Sequence, residues 1–382
     1  MSTLLLAPFD ASMCLGQGYN SFMHAPCICD AVDIKNATYI ASKEGSKPSQ
    51  TVSYSAEVIE KMSDFVRAMN ISAGSSIRTG SVSVFGGGSS IDEMKFAESD
   101  LNAVISVKVV NETRNFQDNI SFKEIGVKNL DNAQFHEIYG DTFISGFIEG
   151  GVFHGIINIK SIDASKKSEI KNKLRSLFNG TNSEWSPSSS ADLIEALRQA
   201  DVSVTVYWSG GSMINPSNEE WNIESLIRAA SAFSDKVLKC PQRTCAILTR
   251  YDTLPDFVVW SRGFSPAICV RQYEGARGFA SELLDMYMEY KGNLFLLNDA
   301  IHHQDRYERS SRPDGVDMAL SSLIEARTSL RFEMIKIVRK IEALDRDPEM
   351  VNDPLGKGDI TAPELWRARL PFKKDDSGDA MT

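Results

Sequence analysis

The chain has 382 residues, a formal net charge of −10, and 42% hydrophobic and 24% charged residues. That balance excludes general disorder. An acidic chain also lacks the broad Lys and Arg surface of a phosphate-backbone binder, so no nucleic acid partner is expected. No run approaches the roughly 18–20 apolar residues of a spanning helix, and none is expected.

The start, Leu4-Leu5-Leu6-Ala7-Pro8-Phe9, is apolar but lacks a basic flank and is stopped by Pro8. It predicts no recognisable signal peptide, hence a cytoplasmic protein or one secreted by another route. Next comes Gly16-Gln17-Gly18-Tyr19-Asn20-Ser21, which lacks the third glycine and the preceding strand of a dinucleotide loop. A weak strand is expected near Ala37–Ser42. In residues 56–69, Val58, Ile59, Met62, Phe65, Val66 and Met69 fall on one helical face and predict an amphipathic helix. The small-residue stretch Ser72–Ser90, with Gly86-Gly87-Gly88, reads as flexible.

Asn102–Asn111 alternates and is rich in β-branched residues, predicting a strand. Val152–Ile162 reads alike. In Asp201–Trp208, Val202, Val204 and Val206 oppose Ser203, Thr205 and Tyr207, and Ser209-Gly210-Gly211 ends the run. Between these strands, Ile170, Leu174, Leu177 and Phe178 predict one helix and Leu193, Ile194 and Leu197 another, with a polar break at Asn179–Ser190. Inserts of this length are far from the usual connection of about 4–6 residues.

From residue 279, Leu283, Tyr287, Tyr290, Leu294, Leu297 and Ile301 keep a 4-3-4-3-4 spacing, the seam of a helix packed lengthwise. A second seam runs through Val316, Leu320, Leu323, Leu330, Met334, Ile337, Ile341 and Leu344, interrupted by Arg327. The turn signal Ser310–Gly315 between them predicts an antiparallel hairpin. Beyond Arg346, prolines, glycines and charges predict a disordered tail.

No G-x-S-x-G elbow, H-E-x-x-H pair or phosphate-cradling loop is present. The cysteines (Cys14, Cys27, Cys29, Cys240, Cys245, Cys269) form no C-x-x-C pair, so no metal or cofactor is expected. The densest titratable cluster, Asp299, His302, His303 and Asp305, is a weak alternative site. Asp299 and His303 at i,i+4 would offer a carboxylate and an imidazole, yet a solvated helix end accounts for the same residues. His136 and His154 read as structural, and no catalytic residue is expected.

Phe135-His136-Glu137-Ile138-Tyr139-Gly140-Asp141-Thr142-Phe143-Ile144, followed by Gly150-Gly151, resembles the signature of the membrane attack complex/perforin family. Tyr139-Gly140 and Phe143-Ile144 match its aromatic-Gly and aromatic-Ile, while Asp141-Thr142 replaces its Thr-His. Leu15-Gly16-Gln17-Gly18-Tyr19-Asn20 resembles the opening motif of the same family, through Gly16, Gly18 and Tyr19. Pro241–Thr244 with Ile247–Tyr251 is similar to an uncharacterised fungal branch.

The resemblance implies an α+β fold over residues 1–260: a bent, twisted four-stranded antiparallel sheet flanked by two helical clusters. The clusters would be inserts at about 54–101 and 163–200, with Gly150 and Gly151 at the sheet bend. A linker (261–278), the helical hairpin (279–346) and the tail (347–382) would follow. It also implies a soluble monomer that oligomerises on a membrane lipid or membrane-bound partner and turns its inserts into β-hairpins, becoming membrane-associated. The alternative is a non-lytic scaffold that binds a ligand or partner, or an atypical enzyme. As a strand, the second insert puts Ile170, Asn172, Leu174, Ser176 and Phe178 on one face and Lys171, Lys173 and Arg175 on the other. The first alternates only at Ser81–Val84.

Overall fold

A computed structural model describes residues 5–34, 50–84, 89–115, 120–126, 130–160, 164–178, 187–197, 200–214, 220–352 and 360–374. Two units divide the chain. The first comprises residues 1–72 and 82–272, the second residues 73–81 and 273–382.

The first unit is built on an antiparallel sheet. Its strands are β1 (Leu5–Pro8), β2 (Gly18–Asn20), β3 (Thr51–Ile59), β4 (Leu101–Asn115), β5 (Thr142–Lys160), β6 (Asp201–Ser209) and β7 (Gln242–Arg250). At one end four strands lie side by side, β3-β4-β5-β6, all antiparallel. This is the four-stranded antiparallel sheet that the family resemblance implies. Toward the other end β5 exchanges β6 for β7, and β7 carries β1 on its far edge.

The ladder slips where the partner changes. Against β4 the register shifts between Glu149 and Gly150, and against β7 between Ile148 and Glu149. Such bulges bend a strand and increase its twist. The glycines there are required by close approach. A Cβ on Gly150 would lie 1.9 Å from the Val109 carbonyl oxygen. One on Gly151 would lie 2.3 Å from Val237 Cγ2, because helix α8 (Phe233–Lys239) presses on the sheet at that point.

One sheet face forms the main core, with Ile105, Val107, Val109, Phe153 and Ile157 fully buried. It is covered by Ile170 and Leu174 of α5 (Ala164–Phe178), Leu193 of α6 (Pro187–Ala196), Leu226 of α7 (Ile223–Ser231), and Phe233 and Val237 of α8. Burying each such side chain stabilises the fold by about 1.5–3 kcal/mol.

The helix expected over residues 56–69 is divided. Residues through Ile59 are strand β3, and only Met62–Ala68 (α1) is helical. Thr51–Ile59 has a period of two, with Ser53, Ser55 and Glu57 exposed and Val52, Tyr54, Ala56 and Val58 turned inward against the core. Strand pairing with β4 overrides the helical spacing that Val58 and Ile59 share with α1. The first insert thus starts after Ile59 rather than near residue 54. It holds α1, α2 (Ala73–Thr79), a short ladder of Ser83–Val84 with Ser89–Ser90, and α3 (Glu93–Glu98). Ala37–Ser42 and Gly86–Gly88 lie outside the described residues.

In the second unit, α10 (Glu274–His302) and α11 (Leu320–Arg346) are antiparallel: the Tyr273 hydroxyl donates to the Asp345 carbonyl (2.8 Å), and Arg327 reaches Asn298. The second helix begins at Leu320. Val316 precedes it, its N–H spent on the Arg369 carbonyl. The expected disordered tail carries a turn at Pro348–Asn352, helix α12 (Pro363–Arg369), and Phe372–Lys373 paired with Tyr307–Glu308. Polar groups on the two long helices hold it. The Glu333 carboxylate accepts the Thr361 N–H (3.0 Å), Asn293 donates to Pro363 O (3.0 Å), and Tyr290 donates to Thr361 O (2.5 Å). Leu370 and Trp366 are buried. Residues 353–359 and 375–382 lie outside the described residues.

Candidate functional site

The two glycine motifs, far apart in sequence, interlock. Helix α4 (Asn132–Tyr139) is started by a capping box between Asp131 and Gln134 and stopped by Gly140, whose φ of +76° suits glycine. Gly140 bridges to Tyr19, and a Cβ on it would lie 2.3 Å from the Tyr19 carbonyl oxygen. In return, a Cβ on Gly18 would lie 2.4 Å from the Tyr139 carbonyl oxygen. Gly16, at φ +81°, packs on the Val32 carbonyl.

Asp141-Thr142, the departure from the family signature, completes the clasp. The Asp141 carboxylate accepts the Ser21 N–H (2.7 Å) and the Ser21 hydroxyl (2.6 Å), and is 2% exposed. The Asp141 N–H and Thr142 hydroxyl both donate to Tyr19 O, at 3.2 and 3.0 Å. The Tyr251 hydroxyl donates to Tyr139 O (2.9 Å). Phe143 and Ile144 are fully buried. Beside them Phe135 stacks on Tyr139, ring centroids 5.0 Å apart, within a cluster that includes Tyr251 and, on α9 (Pro255–Ser261), Phe257 and Trp260. Burial, and secondarily the charge of Asp10, raises the Tyr19 hydroxyl far above its ordinary range; burial does the same for Tyr251. Both stay protonated at neutral pH. The clasp is saturated with internal partners, and its chemistry is that of a fastener.

The other feature is the four-stranded sheet end. The register places Ile59 opposite Asn102, Leu101 opposite Ile159, and Lys160 opposite Asp201. Both inserts therefore leave from one level, each joining two neighbouring antiparallel strands. Asn158 donates to Asn102 (2.7 Å), which donates to Phe96 O (2.9 Å). Lys160 pairs with Glu98 (2.8 Å), and Lys171 of the second insert pairs with Glu60 of the first. Part of the first insert belongs to the second unit: in α2, Ile77 is fully buried, and Lys291 of α10 donates to Gly80 O (2.6 Å).

A groove of about 490 Å³, which the sequence reading missed, lies between α6 and β6. Leu197, Val202, Val204, Trp221 and Ile223 line it, with Asp201 and Glu224 among its polar groups.

His136 and His154 are buried. His136 Nε2 lies 3.0 Å from Cys269 O and 3.2 Å from the Arg271 N–H, strapping α4 to the chain leading to α10. Burial, then the Arg271 charge, lowers its pKa to about 4. His154 contacts Ser106 Oγ (2.8 Å), and burial lowers it to about 3. In the weak alternative site, Asp299 gathers His303 Nδ1 (3.0 Å), the Tyr307 hydroxyl (2.5 Å) and Lys373 (3.4 Å). The Tyr307 hydrogen bond leads in holding its carboxyl below the ordinary range. His302 and Asp305 are exposed and take no part in that set. The arrangement ties the end of α10 to the Phe372–Lys373 strand.

Among the described residues no group of three or more His, Cys, Asp or Glu is placed to hold a metal, and no helix is long and apolar enough to cross a membrane. The chain matches no protein-family model and no curated protein. Among solved structures it is similar to stonustoxin, at 10% identity and a TM-score of 0.46, over 93% of this chain and 44% of that one. GNIP1Aa from Chromobacterium piscinae is similar at 12% identity and a TM-score of 0.33, over 67% and 55% of the two chains. Wild-type pneumolysin is similar at 11% and 0.26, over 53% and 40%. The chain thus spans less than half the length of the stonustoxin chain.

Proposed function

We propose that this chain is a pore-forming or membrane-perturbing protein of the membrane attack complex/perforin kind, within a fungal branch. It oligomerises on a membrane and converts its two inserts into β-hairpins. The observation that carries this reading is the sheet end, where both inserts join antiparallel neighbours at one level. Either insert, drawn out, continues two existing strands in register. Each has about forty residues, and two membrane passes need about 9–11 each plus a turn. The interlocked motifs hold the sheet through its other end, and the first insert touches them through Ser72, whose hydroxyl donates to Phe22 O (2.5 Å).

The test is release of dye from loaded liposomes, with imaging of the membranes for rings. Glu60→Cys with Lys171→Cys, in a chain with the exposed Cys14, Cys29 and Cys269 changed to Ser, is joined by a reducible bismaleimide. Leakage is expected to stop on joining and return on reduction. Absence of leakage and of rings on every membrane tried sinks the reading. The groove beside Trp221 would then favour the second one, a non-lytic scaffold that binds an apolar ligand.

A further inference from the structure

We infer that the solvent face of α11 is a docking surface for an anionic membrane, an inference that deepens the proposed function and rests on its membrane step alone. The helix buries Leu323, Leu330, Ile337, Ile341 and Leu344 along one side. On the other side, at helical spacing, stand Ile324, Phe332 and Ile335, with 40%, 60% and 44% of their surfaces exposed. Three large apolar side chains on one stripe of a 27-residue helix thus present a large part of their surface to solvent. Such a stripe costs free energy in water unless something covers it.

Charge selects the occupant. Arg331, Lys336 and Arg339 are exposed between and beside the apolar residues. Over the same stretch Glu325 is the exposed acid, since Glu333 is buried and engaged by Thr361 and Lys336. Arg331 and Arg339 form no ion pair among the described residues. A chain with net charge −10 is repelled as a whole from an anionic bilayer. A local cationic stripe therefore dictates which side approaches. Apolar side chains flanked by Arg and Lys on one helical face are the pattern that lies in a lipid interface, rings and aliphatic groups among the acyl chains and cations at the phosphates.

The experiment uses the full chain with vesicles of phosphatidylcholine alone or with added phosphatidylserine. Flotation measures binding, and dye release is recorded separately. Binding is expected only with phosphatidylserine and should weaken with salt. R331E/R339E is expected to bind on the order of thirtyfold more weakly, or worse, since each cation near an anionic surface contributes about a fivefold factor. F332W is expected to blue-shift on those vesicles and to be quenched by brominated acyl chains, while F332S/I335S loses binding. All these positions are exposed, and unchanged circular dichroism and melting check that the variants fold.

Binding that ignores the charge reversal, or F332W that stays unquenched on bound protein, overturns the inference. So does an absence of binding to every vesicle, as does self-association through this face in sedimentation. Quenched, charge-dependent binding without dye release sustains the docking face and counts against the pore. Dye release unaffected by R331E/R339E does the reverse.

Discussion

Removing the Asp141 carboxylate should loosen the clasp without touching the core. It is 2% exposed and accepts two hydrogen bonds from Ser21, at 2.7 and 2.6 Å. Bonds to a charged group contribute about 1.5–3 kcal/mol each, and Asp141→Ala also leaves the Ser21 donors buried without an acceptor. The expected loss is about 3–5 kcal/mol, a large share of the roughly 5–15 kcal/mol that holds a domain folded. Asp141→Asn keeps one acceptor and removes a buried charge, so it should cost only about 1–2 kcal/mol. Ser21→Ala loses the hydroxyl bond alone and should cost a similar amount. Urea unfolding followed by near-ultraviolet dichroism reports on the clasp, because Trp260 packs in the adjoining ring cluster. A cycle of S21A and D141N should show coupling of at least about 0.5 kcal/mol. If D141A costs under about 1 kcal/mol, or D141N costs as much as D141A, the carboxylate is not the fastener.

Gly140→Ala places a methyl 2.3 Å from Tyr19 O at a positive φ, and is expected to yield insoluble protein or a loss of several kcal/mol in the same unfolding assay. Ile77→Ser buries a hydroxyl where α2 packs within the helical unit and should cost about 3 kcal/mol. Limited proteolysis should then cut near residues 72–82, and liposome leakage should speed up if α2 restrains the first insert. The histidines make stability depend on pH. Both have folded-state pKa values below the ordinary 6.5, so the unfolded chain binds their protons first. Stability is full above pH 6.5 and falls as pH drops toward about 4 for His136 and about 3 for His154. The His136 contribution is at most about 3 kcal/mol. His136→Gln should flatten the upper part of that decline in melting temperature measured against pH.

Strands with β-branched alternation, β4 and β6, were legible because one face of each meets the core. Strand β3 was hidden because its inward residues include Ala56 and Tyr54, and its end shares helical spacing with α1. The first half of β5 was also missed. Thr142–Phe147 is buried on both faces and gives no alternation to read. Each clasp motif was visible alone, but their contact was not, since the partners of Asp141 lie 120 residues away. The order of the tail depends on Glu333 and Asn293, polar residues that a seam pattern treats as interruptions. The place of α2 was equally obscure, because Ala73–Thr79 has Ile77 as its one large apolar residue.

The proposed conversion asks one sequence to satisfy two periods, and the inserts differ in how well they do so. A spacing of four is close to one helical turn and is also even, so two residues four apart share a face in a helix and in a strand. In the second insert, Ile170 and Leu174 are buried by α5 at that spacing, as are Leu193 and Leu197 farther on. Each pair would stay on one face after conversion. In the first insert the buried residues Met62, Phe65, Val66 and Met69 combine spacings of three, one and three. That set serves a helix, and a strand would split it between two faces. The first insert also gives α2 to the helical unit, so its conversion must break contacts in both units. A stepwise order follows from this asymmetry. In the proposed conversion the second insert, whose buried pairs suit both periods, is expected to leave first, and the first to wait on release of α2.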